Sequence, residues 1–524
     1  MALNSPDRHY IFPWLVVITA GLLFGCVSLL YPFGRDQAIY AYAGKLLLEG
    51  KMNYLHVFDL KPPGIHFLFA FIQLIGGESL LNARIFDIGW QIVTAITVFK
   101  ITGKITKNNI FPAFAAVSYL FLYYRQDYWH TLQADGSLNL FFGISILLLL
   151  SFRNKHSFLK LFFAGISFAA VLLFKYTVIS FLPLLIIALI ADKKFIFSLR
   201  LKNIAVFVTG MLTTAGFVII LYYFTGALKE LIDTQFLWTP LYTKIAFETE
   251  EFYFIFKHSI KLFTHSAYTP LLLLSIFSMI YSIFKKDLGF EKLLIFSWLI
   301  SALLSLIIQW KFYNYHFLVI IPSISILGSY GLSLIKELFT EKKSLYRFVL
   351  TAFILIFSIL AFKPYIPNYL NIGDYFTGKE SLNSIYIKNG FTTDSVFMYG
   401  KTIKAVDAVK ENSELSDKIF VWGFDPLIYY LSSRHCSSRF IYNFPLLWKG
   451  ENSEFRKEFL GAIDSDKPKL IIVANNDPLI YISGYDEDSK QSLKRFPEFD
   501  YIISTRYSFL TSAEDYEIYS RNEW

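Results

Sequence analysis

Between residues 11 and 364 the chain runs again and again through apolar stretches, most close to the ~20 residues an α-helix needs to cross a bilayer. The stretches lie at 11–31, 80–103, 109–125, 135–152, 157–174, 177–191, 203–225, 266–284, 288–309, 314–336 and 346–364. In hydrocarbon a backbone must satisfy its own hydrogen bonds, so each stretch is expected to be a helix. The chain is 55% hydrophobic and 17% charged, whereas soluble domains carry about 45–50% apolar and about 25% charged residues. Its 55 Phe and 34 Tyr suit lipid-facing and headgroup-level positions. The expected fold is a polytopic α-helical membrane protein of about 11 spans.

The stretch 62–76 (PPGIHFLFAFIQLIG) is apolar but short, and counting it as a span reverses the topology of everything after it. Charge decides. With 62–76 lying in the interface and the N-terminus in the cytoplasm, the cytoplasmic loops and helix ends hold Lys104, Lys107, Arg153, Lys155, Lys160, Lys193, Lys194, Arg200, Lys202, Lys285, Lys286, Lys292, Lys336, Lys342, Lys343 and Arg347. The opposite side receives Glu230, Asp233, Glu248, Glu250 and Glu251. This is the positive-inside pattern of a plasma (inner) membrane protein, with the 32–79 loop outside. Arg8 and His9 ahead of the first run read as an uncleaved anchor. Leu23-Phe24-Gly25-Cys26 faintly resembles a lipoprotein box, but Phe24 is too large for its position. Cys26 lies in a span and Cys436 in the tail, so no bridge between them is expected. The net charge of +8 forms no basic stripe on a soluble face, which excludes a nucleic-acid partner.

From about residue 365 the character changes. Strand-like runs (KIFVWG, SRFIYN, PKLIIVAN, FDYIIST) alternate with helical stretches at 425–433 and 452–464, the pattern of a small α/β domain. Pro364, Pro367 and Gly373 mark the boundary. The expected domains are 1–364, membrane-spanning, and 365–524, an external soluble α/β domain. No internal repeat appears.

Several polar residues gather at the external helix ends: Arg35-Asp36-Gln37, Lys61-Pro62-Pro63, Gln133-Ala134-Asp135, Lys175-Tyr176, and Lys311 to His316. Proline is tolerated in a first helical turn, and the free N–H groups that follow, at Gly64 and beyond, attract an anion. Lys61 beside them adds a point charge suited to phosphate; a plain helix start is the bland reading. Lys175 on the same side either joins that role or snorkels to the interface. Asp36 suits a general base, or else caps the helical stretch 37–49. Asp135 poses the same choice. His56, Asp59 and His66 can approach one another, but their spacing matches no metal-ligand pattern, and no cofactor is expected beyond a conceivable divalent metal. His130 and His316 read as hydrogen-bonding interfacial rings. No Gly-rich phosphate loop, nucleophile elbow or nucleotide fingerprint is present.

These motifs resemble those of GT-C glycosyltransferases of the protein mannosyltransferase and aminoarabinose transferase group (glycosyltransferase family 39-like). GRDQAIYAYAGKLLLEGKMNYLHVFDLKPPG resembles the family's first external loop, LQADGSLNLF its second acidic motif, LFKYT its later lysine motif, and VWGFDPLIYYLSSRHCSSRFIY the start of the external domain in bacterial members. Two features depart from the pattern: Tyr315-His316 reverses the usual His-Tyr order, and Leu60 stands where some members place an acid. The resemblance implies an inverting enzyme that moves a hexose- or pentose-type sugar from a polyprenyl-phosphate donor to a lipid, polysaccharide or protein acceptor outside the membrane. It gives Asp36 the role of base, Asp135 that of holding acceptor or sugar, and Lys61, Gly64 and Lys175 that of binding the lipid phosphate. The competing readings are a transporter or lipid flippase, a polysaccharide polymerase or ligase using a diphosphate donor, and a non-catalytic scaffold.

Overall fold

The computed structural model describes residues 8–247, 267–338, 366–390, 397–448, 452–478 and 480–522, with isolated positions between them. Most of the apolar run 346–364 lies outside the described residues, as do Pro364, Glu248, Glu250, Glu251, Lys342, Lys343 and Arg347. Internal contacts divide the chain into two compact units: 1–29 with 84–219 and 256–374, and 30–83 with 220–255 and 375–524.

The first unit is helical. Among the described residues six helices are long and apolar enough to cross a membrane: Pro13–Leu30, Leu80–Thr102, Ala134–Lys155, Phe197–Phe224, Phe290–Gln309 and Asn314–Leu338. Shorter apolar helices occupy Ile110–Tyr124, Phe158–Leu172, Tyr176–Ala191 and Tyr268–Phe284. Each apolar run of the sequence outside 346–364 coincides with one of these ten. Lipid tails are as apolar as leucine, so such helices associate through close packing at small residues. Gly165 and Gly210 show this reciprocally: a Cβ on Gly165 would strike the Phe207 carbonyl oxygen, and one on Gly210 that of Phe162. Some of the polar side chains inside pair with one another. Asp87 accepts hydrogen bonds from Gln91 (2.9 Å) and the Tyr123 hydroxyl (2.9 Å), and that hydroxyl accepts the Leu132 N–H. Leu212, Phe217 and Ile219 point outward from Phe197–Phe224, as a lipid-solvated surface requires.

The second unit contains a five-stranded sheet: β1 (Lys418–Trp422), β2 (His435–Cys436), β3 (Leu470–Ala474), β4 (Tyr507–Ala513) and β5 (Tyr516–Arg521), in the order β2-β1-β3-β5-β4. β1 pairs parallel with β2 and β3, and β5 joins antiparallel. β3 and, after the exposed Lys418, β1 are the apolar inner strands expected of a sheet covered on both faces, and helices fill the intervals at Leu427–Ser432 and Ser453–Asp466. Two expected strands are corrected. SRFIYN is irregular apart from the adjacent two-residue β2, and FDYIIST is the helix Pro497–Arg506. Pro497 opens that helix, Glu498 and Asp500 sit in its first turn, and Phe499, Ile502 and Ile503 form one buried face, a spacing of three and four that only a helix brings together.

The 30–83 segment folds onto this sheet within the same unit. The Phe58 N–H donates to the Arg439 carbonyl (2.7 Å), Arg439 donates back to the Tyr54 carbonyl (2.9 Å), and the Tyr42 hydroxyl accepts the Cys436 N–H (2.8 Å). Cys26 and Cys436 are unbridged.

Candidate active site

Asp36 stands in the first turn of the helix Arg35–Leu48. It is not the cap. Gly34 is the residue before the helix, and the Gln37 side chain reaches back to accept the Gly34 N–H (3.0 Å). The half-buried carboxylate of Asp36 therefore sits at the positive end of the helix without a capping task. Burial pushes the phenols of Tyr40 and Tyr442 well up from their ordinary value, and the charges of Asp36 and Asp59 push both further. These phenols stay protonated around the two acids. Arg35 is buried beside Asp36, its guanidinium 5.4 Å from the Phe397 ring centre and 5.3 Å from that of Phe424.

The Lys-Pro-Pro turn leads into the helix Gly64–Gly76, with Pro63 at its cap. The turn is held by its backbone. The Lys61 carbonyl accepts from the Tyr54 hydroxyl (2.7 Å) and from Gln235 (3.2 Å), and the Leu60 carbonyl accepts from Thr239 (3.3 Å). Tyr54 adopts a left-handed backbone (φ 68°) that turns the loop, and Gln235 lies in the π-helical turn Thr234–Trp238. Such turns inside α-helices gather at functional sites.

Of the three candidate metal ligands, two meet. His66 Nε2 lies 2.7 Å from Asp59 Oδ2, and His66 Nδ1 lies 2.7 Å from the Asn53 amide nitrogen. The Tyr222 hydroxyl donates to the Asn53 oxygen. The amide donor on Nδ1 puts the ring proton on Nε2, where it is donated to Asp59. Both ring nitrogens are thereby occupied, while exposed His56 bonds its own loop at the Met52 carbonyl (3.2 Å). Among the described residues no group of three His, Cys, Asp or Glu side chains is arranged to hold a metal ion.

Asp135 and Lys175 come together in the other unit. Asp135 lies in the first turn of Ala134–Lys155, whose cap is Gln133, and Lys175 lies in the extended break between Phe158–Leu172 and Tyr176–Ala191. The Lys175 ammonium donates to the Asp135 carboxylate, and both side chains are buried. Lys175 thus neither snorkels nor stands as an isolated cation, and Asp135 does not cap. Asp36, Lys61 and Gly64 belong to one unit, Asp135 and Lys175 to the other. Asn53, Tyr54, Tyr222 and Gln235 carry no sequence signal that marks them. Tyr222 lies at the end of an apolar run, where an interfacial tyrosine is ordinary.

Residues 60–223 match the family described as dolichyl-phosphate-mannose-protein mannosyltransferase. No curated protein matches by sequence. Among solved structures, the chain is similar to ArnT from Cupriavidus metallidurans bound to undecaprenyl phosphate, at 13% identity and a TM-score of 0.57, over 97% of this chain and 98% of that one. It is also similar to the archaeal oligosaccharyltransferase AglB from Archaeoglobus fulgidus in complex with an inhibitory peptide and a dolichol-phosphate. There the identity is 11% and the TM-score 0.54, over 99% of this chain and 75% of that one. The apo form of the Archaeoglobus fulgidus oligosaccharyltransferase gives 12% and 0.53, with the same coverage.

Proposed function

The chain has the GT-C fold of the protein mannosyltransferase and aminoarabinose transferase group, and from that premise we propose that it is an inverting membrane glycosyltransferase using a polyprenyl-phosphate-linked sugar. The observation that carries the proposal is the segment from Gly34 to Gly64, which sets an acid in the first turn of one helix and a backbone-clamped Lys-Pro-Pro turn at the start of another. Asp36 takes the proton of the attacking acceptor hydroxyl as the new glycosidic bond forms. Lys61 and the N–H groups opening the helix at Gly64 bind the lipid phosphate and stabilise its charge as it leaves. The Asp59–His66–Asn53–Tyr222 chain holds the loop between these groups in one geometry. Asp135, paired with Lys175, positions the acceptor or the sugar. The many spans suit a donor whose tail stays in the bilayer while its head reacts on the external face, with residues 365–524 forming the external domain.

The test is transfer in proteoliposomes containing polyprenyl-phosphate-linked sugars, with mass spectrometry of envelope glycolipids and glycoproteins, with and without the chain, naming sugar and acceptor. Asp36→Asn is expected to lower the transfer rate about 10²–10⁴-fold while leaving abundance and membrane insertion unchanged. Full activity in that variant removes Asp36 from the catalytic role.

A further inference from the structure

A groove of about 540 Å³ opens on the second unit beside the helix Ser453–Asp466, lined by Trp448, Asn452, Arg456, Tyr485, Lys494 and Arg495 with Leu447 and Glu487. Its charges do not balance. Glu487 serves two cations at once, Arg495 at 2.6 Å and Lys494 at 3.1 Å. Among the described residues Arg456 forms no ion pair with an acid. Its guanidinium lies 4.6 Å from the Phe496 ring centre, and its Nε donates to the Leu446 carbonyl (2.8 Å). Glu498 is the acid whose charge it feels most, and that residue forms no ion pair with it. Among the described residues nothing accepts from its terminal nitrogens. The position is half-buried, where an arginine lacking a counter-charge is costly.

A second donor belongs to a residue of the lining. Trp448 is 1% exposed, and its indole N–H has no acceptor among the described residues. Buried donors of this kind are rare in finished cores. The Trp448 ring also packs on Phe58 at 6.1 Å, next in sequence to Asp59, so one side chain joins the groove's lining to the loop that carries Asp36 and Lys61. Arg495 lies over the Tyr485 ring at 3.7 Å, a stacking that keeps its guanidinium plane fixed.

We propose that this groove binds the acceptor through a phosphate or carboxylate group on its glycan. The inference rests on the transferase reading and deepens it, naming an anionic glycan as the substrate class. Arg456 makes the charge-assisted hydrogen bonds, and Lys494 and Arg495 supply the surrounding positive field.

The test is binding, independent of transfer. The full-length protein in zwitterionic nanodiscs is titrated with a hexose phosphate, with the uncharged hexose as control, following tryptophan fluorescence and calorimetry. Saturable binding of the hexose phosphate alone is expected. Arg456→Gln should weaken it about tenfold or more, the worth of one charge-assisted hydrogen bond, and Lys494→Gln by a smaller factor. Glu487→Gln should tighten binding, because it removes the competing carboxylate; a merely structural role for Glu487 predicts the reverse. Equal affinity for hexose and hexose phosphate, or an Arg456→Gln variant that folds and binds like the parent, overturns the proposal. An Arg456-dependent signal seen only on exchanging the nanodisc lipid for phosphatidylglycerol overturns it too, and assigns the groove to a lipid headgroup. Transfer that proceeds without any hexose phosphate binding refutes the groove and leaves the transferase reading standing.

Discussion

At the residue scale the site depends on which tasks the surrounding fold assigns and which it withholds. The residue type at 36 is as good a cap as a base, and sequence could not separate the two. Gly34 and Gln37 do so by closing the helix end themselves. The helix start after Lys61 was legible from Pro62 and Pro63, whereas the hydrogen bonds from Tyr54 and Gln235 to the Lys61 carbonyl come from positions that no local pattern marks. Because those bonds use the backbone, Lys61→Ala should leave the turn in place. It is expected to raise the KM for the lipid donor about tenfold, with an unchanged melting temperature; an unaltered KM counts against phosphate binding there. The Asp135–Lys175 pair, 40 residues apart, was invisible in sequence because each residue had a sufficient local explanation. A buried acid of the tail gives a pH prediction. Burial pushes the Asp477 carboxyl up from its ordinary value, against the opposing pull of Arg35 and of the Ser489 N–H and hydroxyl. A folded-state pKa above the unfolded one gives stability that is full below the unfolded value and lost as pH rises through the folded one. Relative to Asp477→Asn, the parent should therefore lose stability as pH rises from about 4 into the range above it. Parallel melting profiles of the two proteins contradict this.

At the scale of elements, hydropathy located the helices because burial in lipid leaves a signal about 20 residues long, and the ten described apolar runs needed only small changes at their ends. Short soluble elements leave a weaker one. FDYIIST is rich in β-branched and aromatic residues, yet Pro497 and the acids behind it start a helix whose Phe499, Ile502 and Ile503 reach the core together. The β4–β5 hairpin was not singled out, although its strands flank a short turn at Glu514 and Asp515. How the membrane helices pair was equally closed to sequence, since a glycine in an apolar run does not say which helix it faces. Gly165 and Gly210 face each other's helices at carbonyl distance, so Gly210→Val should force the pair apart and cost about 1–3 kcal/mol. Gly216→Val, on the same helix but with nothing within 4 Å of an added Cβ, is the control. The measurement is thermal unfolding in detergent, and equal losses in the two variants exclude the close crossing as the cause.

At the scale of the whole molecule, the proposed chemistry on a lipid-linked sugar requires that the loop carrying Asp36 and Lys61 and the sheet-bearing tail share one side of the membrane. The loop and the tail already belong to one compact unit, joined by the Phe58–Arg439, Arg439–Tyr54 and Tyr42–Cys436 hydrogen bonds. That joining was not legible in sequence, where more than 300 residues separate them. We propose that they lie outside, because the 104–107 and 153–160 connections are basic, and basic connections stay in the cytoplasm. Single cysteines placed in a background lacking Cys26 and Cys436 can read this out with a membrane-impermeant maleimide. Lys51→Cys in the first loop and Glu380→Cys in the tail should label in intact cells, whereas Lys107→Cys, whose parent side chain is 86% exposed, and Lys155→Cys should label only after permeabilisation. Labelling of positions 51 and 107 from the same side would break the charge argument and add or remove a crossing between them. It would also return 62–76 to the status of a span, and a transferase acting outside the membrane would then lose its geometry.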